Sequence, residues 1–212
     1  VTIKLGLNQK LRGIFIITLI EDTMTMDSPA SLKGQFLLSM PNLADPNFYQ
    51  TVTCICEHNE NGAMGIIINR VHHSLTAKDI FEELTIKYED GLKQIPIHLG
   101  GPVHLGEIFV LHGPPFTWEA SIMITSNLAM SNTRDILESI AMGKDPQSYI
   151  ITLGCAGWGP GQLESELKQN AWLTYPIFEE NIFNMPVDVR WEEAVKKMGI
   201  DPSLISEIPG HA

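Results

Sequence analysis

Residues 34–40 form a short apolar run that Pro41 ends, and the run reads as a strand. Residues 48–58 alternate, with Val52, Cys54 and Cys56 on one face and Thr53, Ile55 and Glu57 on the other. Asn59, Glu60, Asn61 and Gly62 follow as a turn signal, because Asn-Gly tolerates positive φ. Residues 64–70, apolar at Ile66, Ile67 and Ile68, predict a second strand, so the pair predicts an antiparallel hairpin with a slightly long loop. Thr76 then predicts a helix N-cap, with Asp79 as its capping-box partner and Leu75 against Ile80 as a hydrophobic staple. Ile80, Phe81 and Leu84 make that helix's buried stripe.

Short strands are predicted over 95–99 and 107–112, around the Gly100, Gly101, Pro102 turn, and another over 121–125. Ser131 or Asn132 opens a helix whose apolar face is Ile136, Leu137 and Ile140, and Gly143 closes it as a C′ residue. Residues 149–153 are continuously apolar and predict a buried strand. A glycine-rich loop is expected from Gly154 to Gln162, then a helix from about Gln162 to Trp172. Asp188 is expected to cap a last helix carrying Trp191, Ala194, Val195 and Met198, which Gly199 ends. A hairpin with no regular βαβ rhythm favours α+β over a doubly wound sheet.

Composition narrows the function. The chain has 212 residues, 44% hydrophobic and 18% charged, which suits one folded domain and excludes disorder over most of the length. No apolar run reaches the roughly 20 residues of a spanning helix, so no membrane partner is expected. Residues 1–31 read differently. Lys4, Lys10 and Arg12 precede an apolar run over 14–20, but Glu21 and Asp22 follow at once. This segment is expected to be a non-secretory extension, disordered or outside the domain, with the domain itself over 32–212. Fourteen Lys+Arg against 25 Asp+Glu give a net charge of −11, which disfavours direct nucleic-acid binding and suits a protein partner. Three cysteines, Cys54, Cys56 and Cys155, are too few and too odd for a disulfide framework, and imply free thiols in a reducing cytoplasm.

Few residues offer chemistry. The loop after Gly154 joins a strand to a helix, where phosphate binds in other folds, but it is neither G-x-G-x-x-G nor a P-loop. Pro160 removes an amide there, and Glu164 and Glu166 would repel an anion while complementing the helix dipole. Cys155 has no basic neighbour and reads as a buried, inert thiol. By strand parity Cys54, Cys56 and His58 share one side, yet no second ligand pair exists, so no metal and no cofactor are expected. There is no G-x-S-x-G and no H-E-x-x-H. In the last helix Glu192 and Glu193 offset Arg190, Lys196 and Lys197, which leaves no DNA-reading stripe.

Several strings occur together in order. They are Phe36 to Pro41 read as FLLSMP; Cys56, Glu57, His58 with Asn61, Gly62, Ala63, Met64, Gly65 and then Asn69; Gly100, Gly101, Pro102; and Phe109, Val110, Leu111, His112. Further on come Gly157, Trp158 with Gly161, Gln162, Leu163, Glu164; then Asn170, Ala171, Trp172, Leu173; and the terminal Gly210, His211, Ala212. Over about 32–212 the chain resembles the AlgH/YqgE family of bacterial proteins. The resemblance implies a single compact α+β domain whose mixed, mostly antiparallel sheet is bent or partly barrel-like and wrapped by helices. It also implies a role in transcriptional regulation, without implying DNA contact. Where the family has Tyr in a Gly-Tyr-Ala string, this chain has Cys155, and the first 31 residues lie outside the family pattern.

The shared strings concentrate in three polar, glycine-rich segments: 59–64, 100–102 and 157–164. They are expected to converge on one surface with His58, Asn69, His112 and Trp158. The candidate contact residues are therefore His58, Asn69, Gly100, Gly101, Pro102, His112, Trp158, Gly161, Gln162 and Glu164. The leading expectation is a non-enzymatic cytoplasmic binding or regulatory protein. The alternative is an enzyme or small-ligand binder built around His58, His112 and the 157–164 segment.

Overall fold

The computed structural model of the chain describes residues 31–205, apart from positions 42, 44 and 93. Most of the expectation for residues 1–31, and the terminal Gly210, His211, Ala212 string, lie outside the described residues. Ser31 is described, and its hydroxyl donates to the His58 carbonyl at 3.0 Å.

Among the described residues, ten strands build one curled sheet, the half-barrel of a single α+β domain. They are β1 Gln35–Ser39, β2 Val52–Asn59, β3 Gly62–Ile67, β4 Val71–Thr76, β5 Pro96–Leu99, β6 Val103–His112, β7 Ser121–Met123, β8 Ala129–Ser131, β9 Tyr149–Trp158 and β10 Trp172–Pro176. The order is β10-β1-β2-β3-β9-β6-β8-β7, with β5 paired to both β4 and β9. Among the described residues only the β5–β9 pairing is parallel.

β9 is where the sheet forks. One of its edges follows β6, while the other meets β5 along 151–153 and β3 along 156–158. At the fork Gly100 joins both branches, since its N–H donates to the Leu153 carbonyl and its carbonyl accepts from Ile67. The backbones touch there. A Cβ on Gly101 would lie 2.3 Å from the Cys155 carbonyl carbon, and one on Gly100 2.2 Å from the Gly154 oxygen. Glycine is required at both positions by close approach.

Each face of the sheet has its own core. Phe36, Cys54, Ile66, Leu111 and Ile150 pack on one face with Trp191, Ala194 and Val195 of α5 Arg190–Lys197 and Ile182 of α4 Glu179–Phe183. On the opposite face, Ile97, Ile108 and Ile151 meet α1 Ala77–Glu83 and α2 Arg134–Ala141. Leu37, Ile55, Ala63 and Trp158 meet Leu163 of α3 Gln162–Lys168. Helices thus lie on both faces.

Local chemistry places many elements as predicted. The Thr76 N–H and hydroxyl both reach the Asp79 carboxylate at 2.8 Å, closing the capping box of α1. Gly143 follows α2 at φ +64, as a C′ residue should.

Other expectations are corrected. Phe48 sits in a 3-10 turn, and β2 begins only at Val52. The hairpin loop is tight, with Asn59 paired directly to Gly62. The expected loop from Gly154 is strand as far as Trp158, because Gly154 is a bend within β9 and not its end. α3 stops at Lys168, where Asn170 takes φ +54 and Ala171 donates back to the Glu166 carbonyl in a Schellman closure. Trp172 therefore opens β10. β4, which holds His72 and His73, is a strand that the sequence pattern does not predict. Ser131 belongs to β8, so Thr133 precedes α2. Asp188 lies inside a 3-10 turn that runs directly into α5.

Candidate functional site

Two register slips bring the site together. In β2 the pairing shifts between Ile55 and Glu57, so Glu57 faces Met64 and His58 faces Ala63. In β9, Leu153 packs on one face and Cys155 on the other, although simple alternation would keep them together. The residue between them is Gly154, at φ +71. As a result His58, Ala63 and Trp158 form one row across β2, β3 and β9. His58 is thus on the face opposite Cys54 and Cys56, which corrects the expectation that all three share a side. The parity argument fails because a bulge inverts every side chain beyond it.

The row ends on α3. His58 Nε2 lies 2.8 Å from Glu164 Oε1. The Leu32 N–H donates to His58 Nδ1 at 2.9 Å, so Nδ1 is bare and Nε2 carries the proton given to Glu164. The Glu164 carboxyl is held below its usual range, first by its own backbone N–H in the first turn of α3 and then by His58, with burial opposing.

A second carboxylate closes the other side. Glu166 Oε2 accepts both the Trp158 indole N–H at 2.9 Å and the Trp172 indole N–H at 2.8 Å. Its Oε1 takes the Gln162 amide at 2.9 Å, while Gln162 Oε1 accepts the Gly159 N–H. The two indoles meet edge to face, 5.9 Å apart, with Phe48 against both. The sequence predicts for Glu166 a place near the first turn of α3, complementing the dipole and repelling anions, and for Trp172 a place in the helix, so this shared bond is not foreseen. The flanking tryptophans, eight residues before and six after, were the available signal. Gly161, at φ +71, turns the chain into α3 with open space around it.

The remaining predicted residues fall into three places. Gly100, Gly101 and Pro102 lie against the backbone of β9 near Cys155, so the three segments do meet along the C-terminal half of that strand. His112 does not join them. It pairs with Tyr149 at the other end of β9, roughly 30 Å of strand from Trp158. It is fully buried there, with Nε2 2.9 Å from the Ser131 hydroxyl and Nδ1 2.7 Å from the Gly113 carbonyl. Asn69 is also apart, where its side chain accepts from the Val52 N–H and donates to the Gln50 carbonyl, both at 2.8 Å.

All three thiols are free and buried. Burial pushes Cys155 up to about 12, which removes it as a nucleophile at neutral pH. Among the described residues no group of three or more His, Cys, Asp or Glu could hold a metal ion. Arg190 is buried, donating to the Met185 and Ile68 carbonyls, so α5 does not present it outward. No helix among the described residues is long and apolar enough to cross a membrane.

A curled, mostly antiparallel sheet forked at a glycine pair, with helices on both faces, defines the class. The family model described as DUF179, AlgH-like, matches residues 36–203, and the chain belongs to that family. A UPF0301 protein of Desulforapulum autotrophicum is 50% identical over 189 residues, covering 89% of this chain and 100% of the relative. One of Thioalkalivibrio sulfidiphilus is 44% identical over 187 residues, covering 88% and 100%. The solution structure of AlgH from Pseudomonas aeruginosa matches with a TM-score of 0.73 at 42% identity, over 89% of this chain and 100% of that one. A crystal structure of a Corynebacterium diphtheriae protein shares the fold, with a TM-score of 0.59 at 18% identity over 86% and 92%.

Proposed function

We propose that this chain is a non-enzymatic, cytoplasmic regulatory protein that binds a protein partner through the surface where α3 meets the β2–β3 hairpin. One observation carries the reading: both ring nitrogens of His58 are already bonded within the chain. A general base needs a free nitrogen within reach of substrate, and the Ser31 hydroxyl beside this residue is bonded to the His58 backbone carbonyl, not to its ring. Hydrogen bonds that fix side chains in this way prepare a rigid binding surface. Glu60, Asn61, Gly159, Pro160 and Gln162 are exposed on that surface, and none is a large apolar residue. A net charge of −11 favours a partner with a basic face over nucleic acid. Regulation would then act through protein contact.

The test is native mass spectrometry of the chain isolated gently from its own cells, beside a Gln162→Arg variant. The reading expects a second protein chain on the wild type that is lost from the variant. A partner retained by the variant, or a wild type carrying no second chain, overturns it.

A further inference from the structure

A groove of about 240 Å³ opens on the α5 side of the sheet, on the face opposite His58 and Trp158. It is smaller than the cavities that take drug-sized molecules. Tyr49, Gln50, Asn69 and Arg70 form one side, and Asp188 and Glu192 belong to the other. The first side is fixed by hydrogen bonds. Asn69 ties Gln50, held at φ +50, to the start of β2. Arg70 Nη2 donates to the Tyr49 carbonyl at 2.8 Å and to the Pro46 carbonyl at 3.4 Å. Its Nε and Nη1 have no partner among the described residues, so half of the guanidinium fork remains available.

The other side carries the opposite charge, also unspent. Asp188 is exposed and has no partner among the described residues. Glu192 has only a 3.9 Å ion pair to the exposed Lys196. No ion pair within 4.0 Å joins Arg70 to either carboxylate among the described residues, although all three line one groove. A cation and two anions bordering a gap that they do not close themselves are matched by a ligand bearing both charges.

We propose that this groove binds a small zwitterion of the α-amino acid class, with its carboxylate on the Arg70 guanidinium and its ammonium on Asp188 and Glu192. The site does not depend on the α3 surface, so either assignment can fail alone.

The experiment is an NMR titration of the ¹⁵N-labelled full chain with a panel of free amino acids, with acetate and methylammonium as single-charge probes. The expected result is saturable shifts confined to the amides around Gln50, Arg70, Asp188 and Glu192 for at least one amino acid. Affinity should fall about tenfold or more for either single-charge probe, and likewise in Arg70→Gln and Asp188→Asn. Asp188 is exposed, so its variant keeps the fold, and unchanged shifts elsewhere verify this. No saturable shift up to about 10 mM of any amino acid overturns the proposal. Binding of acetate or methylammonium as tight as the amino acid also overturns it, as does full affinity in Asp188→Asn.

Discussion

His58 and Glu164 are 106 residues apart in sequence and 2.8 Å apart in space. They meet because β2 slips register after Ile55, which turns His58 toward the face on which α3 lies. The slip in β9 at Gly154 brings Trp158 to that same face. The pair therefore fastens α3 to the hairpin, and Leu32 fastens the domain's first described residues to the same imidazole.

Replacing His58 with Ala should destabilise the fold by about 2 kcal/mol, since two hydrogen bonds and a buried ring are lost. Glu164→Gln should cost less than about 1 kcal/mol, because the carboxylate is 27% exposed and Gln keeps a hydrogen-bonding oxygen. Urea unfolding monitored by circular dichroism measures both. Equal costs for the two variants would show that the imidazole's inner bond to Leu32 contributes nothing.

Glu166→Ala should cost about 2–3 kcal/mol, because it strips the acceptor from two partly buried indoles. It should also change the near-UV circular dichroism of the Trp158–Trp172 pair. Glu166→Gln should recover most of the loss, since one carbonyl oxygen can take both N–H groups. A near-UV spectrum unchanged in the Ala variant would contradict the shared-carboxylate arrangement.

Two glycines separate steric from conformational cost. Gly101→Ala would drive a Cβ into the β9 backbone and should abolish soluble expression or cost more than about 3 kcal/mol. Gly161→Ala meets no atom within 4 Å, so only its φ of +71 is penalised, at about 1 kcal/mol. Thermal melts of both variants would decide it, and similar losses would count against the forked sheet.

Burial, with the Arg190 charge adding, lowers His98 from 6.5 to about 4, and burial lowers His112 too. The unfolded chain then binds more protons than the folded one below pH 6.5. Stability should be level above pH 6.5 and fall as the pH drops toward 4, with His98 accounting for up to about 3 kcal/mol. The lowered Glu164 carboxyl adds a further loss below its ordinary 4.5. Urea midpoints at successive pH values test this. A flat profile through that window, or one no shallower in His98→Leu, would contradict it.

Features that depend on a few adjacent residues were readable in the sequence. The Thr76–Asp79 box and the Asn61, Gly62 turn are such cases, because their chemistry is complete within four residues. The candidate site was readable in part: Trp158, Gln162 and Glu164 stand together, and His58 joins them. Its geometry was not readable, since the bulge at Cys56 depends on pairing with β3. Gly154 suggested a loop because a glycine that bends a strand looks like one that ends it. Asn170 hid the end of α3 because asparagine marks a C′ position less often than glycine does. β4 was obscured by His72, His73 and Ser74, which carry no apolar alternation. His112 and Asn69 looked like site residues because they are polar, yet both spend their polar atoms within the fold.

The central claim is that His58 is a closed structural link and not a reactive base. Long-range ¹H–¹⁵N correlation of its imidazole at pH 7.5 tests this most directly. A neutral ring protonated at Nε2, with Nδ1 bare and hydrogen-bonded, is the predicted result. A proton on Nδ1, in either a neutral or a charged ring, would break the Leu32 bond and contradict the account.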